Sequence, residues 1–138
     1  MSTDYVLDSS ALFAYFAEEE GATRVRSLFR MAARGQCSIA MHKINLLEVF
    51  YGAWNLEDRA KADELLRVVS SLSIEIRDSL IDSVFHEAAR LKTSHKLSLA
   101  DAIALAEAKT HDAKIVTSDH HEMDEIERRE KIGFYWIR

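Results

Sequence analysis

Apolar positions recur along this chain with two different spacings, and the switches between them predict the order of its elements. Tyr5-Val6-Leu7 is a short β-prone run closed by Asp8. Ala11 to Ala17 reads as a short helix, broken by Glu18-Glu19-Glu20-Gly21. From Ala22 to Ala33, Val25, Leu28, Phe29 and Ala32 return at helical spacing, and Gly35 is a fitting stop. Cys37 to Met41 is a second strand candidate. Helices follow over Asn45 to Trp54, with Leu46, Val49, Phe50 and Ala53 on one face, and over Asp58 to Ser70. Ser73 to Arg77 reads as a third strand. Leu80, Ile81, Val84, Phe85, Ala88 and Leu91 then mark an amphipathic helix. Leu99 to Thr110 is helical and almost wholly apolar, which predicts burial. Lys114 to Thr117 and Phe134 to Ile137 supply strands four and five, with a polar helix or loop between them.

Short strands separated by helices predict an α/β fold: a three-layer α/β/α sandwich around a central parallel five-stranded sheet. Right-handed crossovers bring every strand's carboxyl end to one edge. In such folds ligands bind at that edge, where the strand order reverses. No repeat, low-complexity tract or linker divides the chain, so residues 1–138 read as a single domain.

Composition narrows the function. With 138 residues, 23 acids and 18 Lys or Arg, the formal charge is −5, which argues against a general basic coat for duplex nucleic acid. The lone Cys37 excludes an internal disulfide framework and a multi-cysteine zinc site. The apolar run from Ala11 to Ala17 is too short to span a bilayer, and Met1-Ser2-Thr3-Asp4-Tyr5 carries no basic leader. A cytoplasmic location without membrane attachment is the expectation. The isolated glycines Gly21, Gly35, Gly52 and Gly133 exclude a P-loop and a dinucleotide fingerprint.

Four acids interrupt apolar contexts near the expected ligand edge. Asp8 follows strand one directly, and Asp119 follows strand four by one residue. Glu48 is expected in the first turn of the helix after strand two, and Asp101 in the first turn of the apolar helix. If strands one and four are neighbours, Asp8 and Asp119 sit side by side, and two helix N-termini bring Glu48 and Asp101 to the same spot. Taken singly, each has a structural reading. Asn45-x-x-Glu48 and Ser98-x-x-Asp101 match capping-box spacing, Asp119 suits an N-cap, and Asp8 suits a turn. Jointly they would repel unless a cation sat among them. An all-carboxylate set suits a hard ion, Mg²⁺ or Mn²⁺, the apparatus of phosphodiester hydrolysis.

These motifs resemble the PIN domain, most closely the VapC-type toxins of toxin–antitoxin pairs. Val6-Leu7-Asp8-Ser9-Ser10-Ala11-Leu12 is similar to the family's opening motif, and Asn45-Leu46-Leu47-Glu48-Val49 to its second. Leu97-Ser98-Leu99-Ala100-Asp101-Ala102-Ile103-Ala104-Leu105-Ala106 resembles the third, and Ile115-Val116-Thr117-Ser118-Asp119 the fourth. The resemblance implies a Mg²⁺- or Mn²⁺-dependent ribonuclease whose catalytic and metal-binding residues are Asp8, Glu48, Asp101 and Asp119. It also implies a small antitoxin partner and a homodimer. After the fourth motif the chain departs from the pattern with His120-His121-Glu122-Met123-Asp124. Glu122, Asp124 and the histidine pair are left outside the site, Glu122 as a further cap partner of Asp119.

Charge is segregated. From Gly21 to Leu47 there are five basic residues and no acid. Arg26, Arg30 and Arg34 recur every four residues and line one helix face, a candidate track for RNA phosphates. A solvated face is the competing explanation. Phe13, Tyr15, Phe16, Phe29 and Met31 exceed one core-facing stripe, which predicts that some line a groove. Two other functions fit a similar sandwich: an aspartate-based phosphatase or phosphoacceptor with Asp8 as nucleophile, and a non-catalytic binding module.

Overall fold

The computed structural model describes residues 2–138; Met1, and with it the start of the leader reading, lies outside them. Within that span, β1 (Tyr5–Leu7), β2 (Ile39–His42), β3 (Glu75–Arg77), β4 (Lys114–Thr117) and β5 (Gly133–Trp136) form one sheet in the order β3-β2-β1-β4-β5. Every pairing is parallel. The helices are α1 (Ser9–Ala17), α2 (Ala22–Ala33), α3 (Lys43–Leu56), α4 (Arg59–Ser71), α5 (Asp82–Ser94), α6 (Leu99–Thr110) and α7 (His120–Arg129). The polar segment between strands four and five is therefore a helix.

Alternation along the strands builds two cores. Val6 and Ile115 face one side of the sheet and pack with Val84, Leu91, Leu105, Met123 and Ile126 from α5, α6 and α7. Leu7 and Val116 face the other and pack with Leu12, Val25, Leu28, Val49 and Leu65 from α1 to α4. The expected sandwich is present. Tyr15 meets Phe16 and Phe29 edge to face at 5.2 and 4.9 Å, so most of the excess aromatic surface is core packing. Phe16 still reaches a cleft of about 320 Å³ with Ala53, Leu65 and Val68.

Local chemistry explains the boundaries. Gly35 ends α2 at φ +71°, with its N–H on Ala32 O and Gln36 N–H on Met31 O, the paired bonds of a Schellman stop. α3 starts two residues earlier than its apolar pattern suggests. Its cap is the imidazole of His42, whose Nδ1 accepts from Ile44 N at 3.1 Å. Histidine is absent from the usual capping signatures, so the sequence hides this start. Two expectations fall with it. Glu48 lies in the second turn, not the first, and Asn45 is inside the helix rather than part of a capping box.

Candidate active site

The strand order reverses between β1 and β4. β1 leads outward to β2 and β3 on one side, while β4 and β5 lie on the other. Asp8 and Asp119 leave this junction on adjacent strands, Leu7 being in register with Val116. That is the crevice where open α/β sheets hold ligands.

Asp8 is 1% exposed and caps α1, its Oδ1 accepting from Ala11 N at 2.9 Å and from Ser10 Oγ at 2.7 Å. Burial pushes its pKa up to about 6, against the hydroxyls of Thr117 and Ser10 and the Ala11 N–H, while nearby Asp119 raises it further. The Ser10 hydroxyl ties the two strand ends together, and that of Thr117 shapes the end of β4. Ser118 N donates to Ser10 Oγ at 3.1 Å, and Asp119 N donates to Thr117 Oγ1 at 3.0 Å. Asp119 caps α7 by accepting from Glu122 N at 3.2 Å.

Asp101 is the third residue of α6. Ser98 caps that helix through Asp101 N at 3.1 Å, so the Ser98–Asp101 capping relation is present. Burial is the main reason its pKa rises to about 7; the charges of Asp8, Glu48 and Asp119 add to the rise. One side chain thus feels all three of the other predicted acids. Glu48 Oε1 is buried and has no hydrogen-bond partner. As they stand, these carboxylates do not close on a single point: among the described residues no three carboxylate, imidazole or thiol groups are arranged to hold an ion. The donors nevertheless fit a hard cation. All are oxygens, one is orphaned, and two are held in protonation-prone states by burial and mutual repulsion.

Asn45 is the residue that sequence reasoning misassigned. It is fully buried on α3, and its Nδ2 donates to Ala100 O at 3.1 Å. That bond joins the helix carrying Glu48 to the residue preceding Asp101. The signal was an amide among Ile44, Leu46 and Leu47, where a capping amide would instead stand before the apolar run.

The other predicted residues lie around this centre. Glu122 lines a separate cleft with Lys96, Ser98 and His121. Asp124 binds His120 Nδ1 at 2.8 Å, and His120 Nε2 meets Arg138 O at 2.7 Å. Both ring nitrogens face acceptors, a pattern that only imidazolium satisfies. The Arg138 carbonyl, followed by Asp124, accordingly raises the His120 pKa. The ring stacks on Trp136 at 3.9 Å. On α2, Arg26 is half-buried, Arg30 is exposed, and Arg34 is the exposed C-cap. α2 starts beside the end of β5, where Arg24 Nη1 donates to Trp136 O at 3.0 Å, and it runs back toward the start of β2. Arg26 is therefore the nearest of the three to the acidic edge and Arg34 the farthest.

On β3, at the outer side of the sheet, Arg77 binds Glu107 at 2.8 Å and Glu75 at 3.2 Å, with Glu107 only 1% exposed inside the apolar α6. Arg90, His95 and Lys109 surround Glu130, which holds the Glu130 carboxyl down to about 2, chiefly through Arg90.

Residues 5–129 match the family model of the PIN domain. Comparison with curated proteins gives no match. Among solved structures, a toxin–antitoxin complex from Klebsiella pneumoniae is 19% identical, with a TM-score of 0.71 and 98% of each chain covered. VapBC2 from Rickettsia felis, bound to a DNA fragment from its promoter, is 18% identical at a TM-score of 0.74, covering 97% of this chain and 98% of that one. VapC20 from Mycobacterium tuberculosis, a toxin that cleaves the sarcin–ricin loop, is 11% identical at a TM-score of 0.67, covering 88% and 95%. At these identities the likeness is one of fold.

Proposed function

The chain belongs to the PIN-domain family, and on that premise we propose that it is a metal-dependent endoribonuclease, the toxin of a toxin–antitoxin pair. One observation carries the reading: Asp8 and Asp119 leave adjacent strands at the switch point of the sheet, and Asp101 lies near enough for their charges and that of Glu48 to add to the rise of its pKa. Glu48 Oε1, buried without a partner, supports it. So does the sarcin–ricin loop cleavage known for VapC20.

Asp8, Glu48, Asp101 and Asp119 would hold Mg²⁺ or Mn²⁺. When bound, the ion supplies an activated water and neutralises charge on the phosphate. Asp8 is positioned by Ser10 and the α1 N-terminus, and Asp119 by Thr117 and α7. Asn45 keeps Glu48 and Asp101 in fixed relation. Arg26, Arg30 and Arg34 extend positive charge from this edge along α2 and add salt-dependent affinity for RNA. Exchanging all three for Glu should weaken RNA binding while sparing the fold; unchanged affinity at low salt returns them to a solvated face.

No helix among the described residues is long and apolar enough to cross a membrane. The reading places action on cytoplasmic RNA. Leu47, Tyr51 and Trp54 recur along α3 and stay about half exposed, an apolar face suited to the proposed small antitoxin or a second copy in a homodimer. The test of the activity is cleavage of a mixed RNA pool with Mg²⁺ or Mn²⁺. Cleavage should stop in EDTA and in Asp119→Asn. Undiminished cleavage in excess EDTA would overturn the metal mechanism, and none in any divalent ion would overturn the nuclease reading.

A further inference from the structure

The acidic edge opens on one flank into a cleft of about 290 Å³, whose walls include Ser10, Glu48, Tyr51, Ser118 and Arg138. Arg138 is the one cation among its lining residues. No carboxylate among the described residues comes within 4.0 Å of its guanidinium. Its donors are therefore uncommitted, in a wall otherwise made of hydroxyls, aromatic rings, acids and the side chain of Val49.

The stem beneath that guanidinium is held on several sides. Ile137 is buried, and its N–H donates to Thr117 O at 3.1 Å, continuing the β5–β4 ladder past the strand end. His120 clamps the Arg138 carbonyl at 2.7 Å while lying flat on Trp136. Arg24 fixes the Trp136 carbonyl at 3.0 Å from α2. Gly21 lets the segment pack closely: a Cβ there would stand 2.8 Å from Ile137 O. Two side chains, Arg24 from α2 and His120 from α7, and the backbone carbonyl of Thr117 thus brace residues 136–138, while Ile137 anchors the stretch in the core beneath them.

An RNA strand entering this cleft meets Glu48 and the carboxylates behind it, and its own phosphates are repelled. A guanidinium fixed on the wall offsets that repulsion, and its planar fork matches a phosphate bidentately. We propose that Arg138 is a substrate-binding residue of this site, gripping a backbone phosphate of the RNA strand in the cleft beside Glu48. The inference rests on the nuclease reading and adds to it the residue that seats the strand.

The test compares native protein with Arg138→Gln and Arg138→Lys. Steady-state cleavage of an unstructured labelled RNA oligonucleotide in Mn²⁺ gives KM and kcat. Binding of the same oligonucleotide against salt is followed by anisotropy in an Asp119→Asn background. Arg138→Gln should raise KM about tenfold, more than it lowers kcat. The slope of log affinity against log salt should flatten by about 0.7, the loss of one single-strand phosphate contact. Arg138→Lys should restore the salt slope but only part of the affinity, since an ammonium keeps the charge and loses the bidentate fork. A Gln variant with native KM and native salt slope overturns this inference alone. A fall confined to kcat overturns it too, since that would be a positioning effect. Native protein that neither binds nor cleaves RNA overturns the nuclease reading itself.

Discussion

Replacing Asp101 by Asn separates a metal site from a set of helix caps by the sign of one stability change. In the metal-free protein the Asp101 pKa stands near 7 rather than 3.8, because its carboxylate is partly buried and faces Asp8, Glu48 and Asp119. Between about pH 4 and pH 7 the native state therefore binds more protons than the unfolded chain, and stability falls as pH rises through that window. A shift of that size has a ceiling of ~4 kcal/mol at about 1.4 kcal/mol per unit. Residual solvent access lowers it, and the Asn loses a helix-dipole contact worth roughly 0.3–1 kcal/mol. The expected net gain at neutral pH is about 1–2 kcal/mol, or on the order of 4–8 °C in Tm for a chain of this length. At pH 4 the gain should vanish, since both side chains are then largely neutral. Thermal melts in EDTA at pH 4 and pH 7.5, repeated with Mg²⁺ or Mn²⁺ at low ionic strength, measure all of this. The ion should stabilise native protein through linkage and the variant much less. A variant less stable than native at pH 7.5 in EDTA, with an equal response to the ion, would refute the repulsion argument and remove Asp101 from the site.

Three further outcomes follow from contacts elsewhere. Glu107→Ala removes the buried partner of Arg77, which keeps only Thr3 and the exposed Glu75, and should cost roughly 1–3 kcal/mol in chemical denaturation, while Arg77→Met with Glu107→Leu should recover most of the loss; an equal cost for both would deny that the weakened pairing of the charge is the cause. The Glu130 carboxyl titrates near 2 when folded, so its contribution is fully present above about pH 4.5 and disappears as pH falls toward 2. Glu130→Gln should flatten that acid limb by roughly 1–3 kcal/mol, and an unchanged limb would show that Arg90 and His95 do not stabilise the folded state through it. Asn45→Ala should cost roughly 1–2 kcal/mol and slow single-turnover cleavage more than tenfold, because Glu48 and Asp101 lose their common brace. Native cleavage rates in a destabilised Asn45→Ala protein would leave it a purely structural residue.

Much of the architecture was legible because sheet and helix periods are so distinct here. Leu99–Thr110 and Lys114–Thr117 match the pattern at both ends, and the parallel sheet follows from the alternation of strands with helices. The adjacency of β1 and β4, on which the gathering of acids depends, is a tertiary fact that no local pattern states. What stayed hidden was of one kind. His42 as a cap, Asn45 as a bridge and Glu107 as a buried ion-pair partner are polar groups whose partners lie far away in sequence or outside the usual signatures. Arg138 was invisible for the same reason, since the cleft it lines is assembled from α1, α3 and the ends of β4 and β5.

Asp8 and Asp119 each hold the first turn of a helix as well as facing the acidic edge. The two demands differ in what they tolerate. A cap accepts Asn, Ser or Thr almost as readily as Asp, whereas a hard cation needs the charge. On the proposed nuclease reading, the protein could therefore lose its chemistry at these positions by a change the fold scarcely registers. For the laboratory, the same reading would make Asp8→Asn and Asp119→Asn the natural silent forms for capturing intact RNA, and alanine a poor choice that confounds inactivity with a frayed helix. For lineages it predicts a signature of retirement. A descendant that has abandoned cleavage should drift to Asn, Ser or Thr at positions 8 and 119, while position 48, freed of any capping duty, should wander without such restriction.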